Sequence, residues 1–394
     1  MFFPLSFCLD HEKGKDMEKE QIAKNAAPVK KRWQFISVLR LLSMMGVVYY
    51  HTLVTLYLMG IRQKERIEPM YANVNMNFPA IGVGLFLMLS GGGLMMSSKR
   101  KKDFSVKTFY KQRFFKILIP FYISYLIYSV YLFAIGFEFP VYFESLTGVM
   151  PSPVCFIFTL LGMDGYLSIF NIPTYTLMLG EWFLGCLIPM YLVFPLLRKC
   201  ILKNKYLTLA VATVYYIIVL ATYRYMPYAD VPSYNNFTVK IYDFILGMFL
   251  VEVMDRIPKW TAAIGVALLG FYLVYPSKLP IDMTPSIVIL AVGTFLIFRA
   301  LEDVFAKMPR FMKVVNLLSA YSYTYFLFHH IVIGRVCIVT QQRSLLDLGS
   351  NKNLLVLFAM QIIVTSALAV LVKVLSDLVE KGVGKITGGK ADAK

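Results

Sequence analysis

Arg40 and His51 lie within one apolar run, SVLRLLSMMGVVYYH at 37–51. If the run is a helix, about 100° per residue brings the two within about 20° of one face and about 16 Å apart along the axis. Imidazole can take or give a proton near neutral pH, and a guanidinium can hold an anion or stabilise developing negative charge. A bland account has Arg40 snorkelling to one surface and His51 hydrogen-bonding a neighbouring helix. A charge inside a span costs about 2.5–3.5 kcal/mol on insertion scales, so residues kept there tend to mark pathways or sites. That cost tips the reading toward function.

The remaining candidates are spread along the chain. YSYTYFLFHHIVI at 321–333 carries His329 and His330. Adjacent helical residues differ by about 100°, so one of the two is expected to face any given cavity. KQRFFKILIP at 111–120 places Arg113 and Lys116 three residues apart, on one helical face. With Lys99, Arg100, Lys101 and Lys102 they make a cationic patch that suits either phosphate capture or contact with anionic lipid. Ser90 precedes Gly91, Gly92 and Gly93; with no base near it in sequence, close helix packing explains this segment better than a nucleophile does. Glu181 and Trp182 start another apolar run, where the carboxylate could orient a histidine or bind a sugar hydroxyl, or simply be solvated. Asp243 is a weaker case of the same kind.

These residues need helices in lipid to position them. The chain is 58% hydrophobic and 16% charged, against about 45–50% and about 25% for soluble domains. Ten apolar stretches approach the length of about 20 residues that crosses a bilayer: roughly 34–58, 79–97, 114–136, 177–197, 206–223, 237–255, 260–275, 284–300, 314–337 and 353–378. The run 153–163 is too short to cross and is expected to be interfacial or re-entrant. The predicted fold class is all-α: a polytopic integral membrane helical bundle of about ten transmembrane helices. It divides into a polar tail over 1–32, expected to be disordered, a membrane domain over 33–380 and a tail over 381–394.

The net charge of +17 does not point to nucleic acid, because Lys and Arg sit between the apolar runs, where they set orientation. Placing both termini in the cytoplasm puts the densest basic segments inside and the Lys- and Arg-free stretch 137–176 outside. Cys8, Cys155, Cys186, Cys200 and Cys337 show no metal-ligand spacing, so neither a metal site nor a disulfide framework is assigned.

Taken together, these segments resemble the acyltransferase-3 family of membrane O-acyltransferases, particularly its surface-polysaccharide branch, over about residues 33–378. Arg40 and His51 match the family's Arg-x10-His pattern. VGLFLMLSGG at 83–92 is similar to its LFF-x-(L/I)-SG segment, and EWFLGCLIPMYLVFPLL at 181–197 to its Trp-to-Pro pattern. Arg113 and Lys116 match its Arg-x-x-Arg position with Lys second, a point charge in place of a fork. SYTYFLFH at 322–329 resembles its SY-x-x-Y-L-x-H segment, which favours His329 over His330; Phe326 stands at the motif's Tyr unless Tyr325 fills that role.

The resemblance implies an enzyme that moves an acyl group, most often acetyl, from cytoplasmic acyl-CoA to a hydroxyl of an extracytoplasmic or lipid-linked saccharide. No bound cofactor is expected, since acyl-CoA is the donor substrate. His51 would be the base, His329 its partner and Arg40 the charge stabiliser. Arg113 and Lys116 would hold the CoA phosphates, with Ser90, Glu181, Trp182 and Tyr325 in support. The chain shows no additional hydrolase-like domain, so the membrane domain or a separate partner is expected to complete transfer. Localisation would be the cytoplasmic membrane of a bacterium, with homo-oligomerisation left open. A carrier or exporter of a polar solute is the alternative expectation, because such a protein also needs intramembrane charges.

Overall fold

The computed structural model describes residues 33–62, 78–100, 103–274 and 283–386, apart from a few side chains within them. The expected tail over 1–32, residues 387–394 of the expected tail 381–394, Lys101 and Lys102 lie outside the described residues. The described residues are helical, with no strand among them. Among the described residues, seven helices are long and apolar enough to cross a membrane.

The first half of the bundle is built from α1 (Gln34–Leu58), α2 (Phe78–Arg100), α3 (Val106–Arg113) and α4 (Ile119–Ala134), the last two joined by a π-helical turn, Phe114–Leu118. The short helices α5 (Phe139–Thr147), α6 (Phe156–Leu160) and α7 (Asp164–Ser168) follow. At about 1.5 Å per residue, the five-residue α6 covers a quarter of a hydrocarbon core about 30 Å thick. It does not cross.

Helix α8 (Glu181–Thr222) has 42 residues, about 63 Å and twice the core thickness. It is two helices: Asn204 has extended dihedrals (φ −157°, ψ 97°) between Lys203 and Lys205. The two runs, 181–203 and 205–222, correspond to two of the expected stretches. The chain continues through α9 (Phe237–Val253), α10 (Thr261–Val274), α11 (Met283–Ala300), α12 (Glu302–Ala306), α13 (Pro309–Ala320), α14 (Ser322–Gln342) and α15 (Asn351–Ile386). Two boundaries differ from expectation. The stretch 314–337 divides at Tyr321 into α13 and α14, and α15 runs six residues past the domain limit expected at 380.

Helix α2 is the centre of the bundle, packed against α1, α9 and α11. Its glycines allow this. A Cβ on Gly91 would stand 2.2 Å from the Phe244 carbonyl oxygen, and one on Gly247 of α9 would stand 1.9 Å from that of Met88. Both blocking atoms are backbone, so only glycine permits this approach. Leu126, Phe133, Leu192, Ile217 and Ile363 point outward and are exposed, as lipid-facing side chains are.

The interhelical loops sort into two groups. At one end, the Gln34 and Phe35 amides donate to the Glu302 carboxylate (3.1 and 2.9 Å), and Asn316 bonds Gln34. Lys99 pairs with Glu252 at 2.9 Å, Arg198 Nε donates to Ser98 Oγ at 2.9 Å, and Lys259 pairs with Asp303. At the other end, Arg62 donates to Asn351 and to the Ser350 carbonyl, and Ser233 bonds Thr284. Segments expected to share a side of the membrane thus meet one another.

Candidate functional site

Helix α1 delivers His51 near its non-basic end, and α14 delivers His329 and His330 within its first three turns. The three rings meet. Ring centroids are 4.0 Å apart for His51–His330, 5.1 Å for His51–His329 and 4.5 Å for His329–His330. The expectation that only one of the adjacent pair faces a given cavity is therefore corrected: both rings lie against His51, where α14 packs on α1. His330 is the residue that the sequence reading set aside; the HH pair was its only signal.

His329 is buried (1% exposed), and its Nδ1 lies 2.8 Å from the Phe326 carbonyl oxygen. A carbonyl only accepts, so Nδ1 carries the proton and Nε2 the lone pair. That Nε2 is buried and has no hydrogen-bond partner among the described residues. Phe326 holds the ring from the side (5.2 Å) and is itself packed on Phe183 (4.3 Å), next to Trp182. Trp182 therefore supports the histidines through two rings. The Glu181 side chain lies outside the described set. Tyr325 turns away: its hydroxyl donates to the Ile362 carbonyl (3.1 Å) and bonds Ser366, tying α14 to α15. It anchors the helix that carries the histidines.

A second cluster forms toward the basic end. Tyr191 of α8 lies beside Ser90 and Arg113, with Arg40 within electrostatic reach. The Arg113 guanidinium lies 5.9 Å from the centroid of the Tyr191 ring and 5.7 Å from that of Phe109. Arg40 also approaches Gly93, whose missing side chain leaves it room. Ser90 thus lies beside Tyr191, the ring that Arg113 also approaches. Tyr191 was not singled out in the sequence, although a tyrosine between Pro189 and Pro195 in an apolar run was a usable signal. Arg113 and Lys116 do not share one environment. The π turn starts at Phe114 and changes the angular advance per residue. Arg113 stays half-buried against Tyr191 while Lys116 is exposed.

In the Lys- and Arg-free stretch 137–176 the aromatic side chains pack largely on one another. Phe143 packs on Tyr175 (5.2 Å) and Phe137 on Tyr142 (5.3 Å), while Phe156, Ile157 and Leu160 are exposed apolar residues suited to the headgroup zone. Asp164 lies beneath this surface. Thr159 Oγ1 donates to its Oδ1 at 3.2 Å, and Oδ2 has no partner among the described residues. Burial pushes its carboxyl up to about 7, against the smaller opposing effect of the Thr159 hydrogen bond. An unfolded Asp titrates near 3.9, so the folded form holds the proton more tightly. The resulting stability is complete below about pH 4 and is lost as pH rises through about 7. Thermal melts in detergent should show wild-type stability falling between pH 5 and 8, with a flatter profile for Asp164→Asn. Parallel profiles for the two proteins would show that the carboxyl is solvated.

A family model described as an acyltransferase domain, that of acyltransferase family 3, matches residues 33–375. No curated protein and no solved structure matches the chain.

Proposed function

The chain belongs to the acyltransferase-3 family, and from that premise we propose that it transfers an acyl group, acetyl by family preference, from cytoplasmic acyl-CoA to a hydroxyl of an extracytoplasmic or lipid-linked glycan. It is a multi-pass membrane protein. The proposed topology has about ten spans and places the basic end of the bundle and both termini in the cytoplasm, as the positive-inside tendency favours. The cytoplasmic membrane of a bacterium is the proposed location.

The observation that carries the reading is the meeting of His51 with a buried histidine of fixed tautomer. A hydroxyl is a poor nucleophile until a base takes its proton. His51 is the proposed base. His329, with its proton fixed on Nδ1, keeps the Nε2 lone pair available as second proton carrier. The ring nitrogens of His51, His329 and His330 lie within 4.8 Å of one another, about the span that one bridging water covers with two hydrogen bonds of about 2.8 Å. Arg40 stands about 16 Å from His51 along α1, on the side from which the donor comes. A CoA held by its phosphates at Arg113, with Lys116 as outer contact, would pass Arg40, Tyr191 and Ser90 before its thioester reached His51. Arg40 would hold the donor or stabilise charge along that path.

Purified protein in liposomes, given labelled acetyl-CoA on the basic side, should place label on cell-envelope glycan. Solute flux with no acetyl-CoA consumed would favour a carrier instead. Within that assay, Arg113→Gln should raise the donor KM about tenfold or more, the scale of one charge-assisted hydrogen bond, with less effect from Lys116→Gln. An unchanged donor KM in the folded double variant would reduce both residues to topology signals.

A further inference from the structure

We propose that His51, His329 and His330 form a reversible site for a divalent transition-metal ion of the Zn²⁺ class, whose occupancy arrests transfer. The site itself stands on geometry; the arrest rests on the reading of His51 as base. Each histidine offers one ring nitrogen, and the three lie within 4.8 Å of one another. A Zn–N bond of about 2.0–2.1 Å puts nitrogens around one ion about 3.4 Å apart in a tetrahedral site. The difference from the present spread is within reach of small rotations about the Cα–Cβ and Cβ–ring bonds, with α1 and α14 left in place.

His329 is already oriented as a ligand. Its Nδ1–H is donated to the Phe326 carbonyl at 2.8 Å, the outer-shell bond that metal-bound histidines make, and this leaves the Nε2 lone pair for an ion. That nitrogen belongs to a side chain 1% exposed and has no hydrogen-bond partner among the described residues. An imidazole-only donor set selects zinc, copper or nickel over magnesium and calcium, which require oxygen ligands. Among the described residues neither a carboxylate nor a thiolate joins the set, so the ion keeps its full charge in a mostly aromatic surround of Tyr50 and Phe326. That favours release as well as capture. The fourth position is left for water or an acceptor hydroxyl. The ion takes up ring lone pairs that the base and its partner need, so acyl transfer and metal occupancy compete. His330, which the transfer scheme does not require, has a place in this arrangement as the third ligand.

The test uses the full-length protein in nanodiscs, stripped of metal and titrated with Co²⁺ as a visible probe, then with Zn²⁺ as competitor. Expected are one Co²⁺ per chain with tetrahedral d–d bands, displacement by Zn²⁺, and a Zn²⁺-dependent rise in melting temperature. His330→Gln and His329→Gln should each weaken binding at least tenfold, in samples whose metal-free melts match wild type. Absence of the bands in wild type, or equal affinity in the two variants, would overturn the site. The second measurement is labelled acetyl transfer. The proposal expects its half-inhibition at the Zn²⁺ concentration that displaces half the Co²⁺. Binding to the histidines with turnover untouched would overturn the arrest and, with it, His51 as base. A metal-free protein that binds Co²⁺ normally and transfers nothing would leave the site standing and remove the acyltransferase reading.

Discussion

His51→Ala is expected to lose about 10²–10⁴-fold in kcat, the usual contribution of a positioned general base, while the protein still inserts and binds the acyl donor. His51→Gln should be about as inactive. The amide can replace a hydrogen bond to a neighbouring helix but cannot take a proton near neutral pH. This variant separates chemistry from packing, because His51 lies against Tyr50, His329 and His330 and does contribute to helix contact. If packing were its whole role, Gln would keep most of the activity and Ala would lower yield or melting temperature. Near-wild-type turnover by a folded His51→Gln protein would remove it as base, and His329 would then be the leading candidate. Arg40→Lys keeps the charge and loses the planar fork, so a partial loss is expected.

Asp243→Ala should destabilise the protein by about 3–5 kcal/mol, the cost of leaving one member of a buried ion pair uncompensated. Lys240 and Asp243 stand one turn apart on α9, 2.5 Å from nitrogen to oxygen, with side chains 2% and 1% exposed. The carboxylate faces α2 at Gly84: a Cβ there would be 3.6 Å from Asp243 Oδ2, ordinary contact distance. Removing the carboxylate strands an ammonium in the middle of the bundle. The double substitution Lys240→Met with Asp243→Ala removes both charges without adding volume and should recover much of the loss, since a buried pair is often no more stable than an apolar replacement. Chemical denaturation in mixed micelles reads both. Single variants as stable as wild type would mean that water reaches the pair, and would turn attention to a hydrated path through α9.

How much of this was legible beforehand can be judged residue by residue. The helices were legible because lipid leaves a backbone little choice: with no water to bond its amides, an apolar run becomes a helix, and each of the ten stretches read from hydropathy overlaps helix among the described residues. Lys and Arg between the apolar runs led to a grouping of loops by side, and loops placed in one group do bond one another. Candidate residues were legible where a polar side chain interrupted an apolar run, as at Arg40, His51 and His329.

Other features depended on packing between distant segments. Asn204 separates two helices, but that it does so within a single residue shows only in the backbone. The π turn after Arg113 moves Lys116 out of the environment that i, i+3 spacing implied, because that rule assumes an unbroken α-helix. The Lys240–Asp243 spacing was visible in the sequence, yet its burial required α2 to close over it at Gly84. Tyr191 became part of the Arg113 cluster, and the unpaired oxygen of Asp164 became a titrating group, only through neighbours far away in the chain. The clearest case is His330. Periodicity places it about 100° from His329 and so assigns one of them to His51. The packing of α1 against α14 brings both rings into contact with His51, and such packing is fixed by which side chains and glycines let two helices approach. That information lies in pairs of segments and is absent from either one alone.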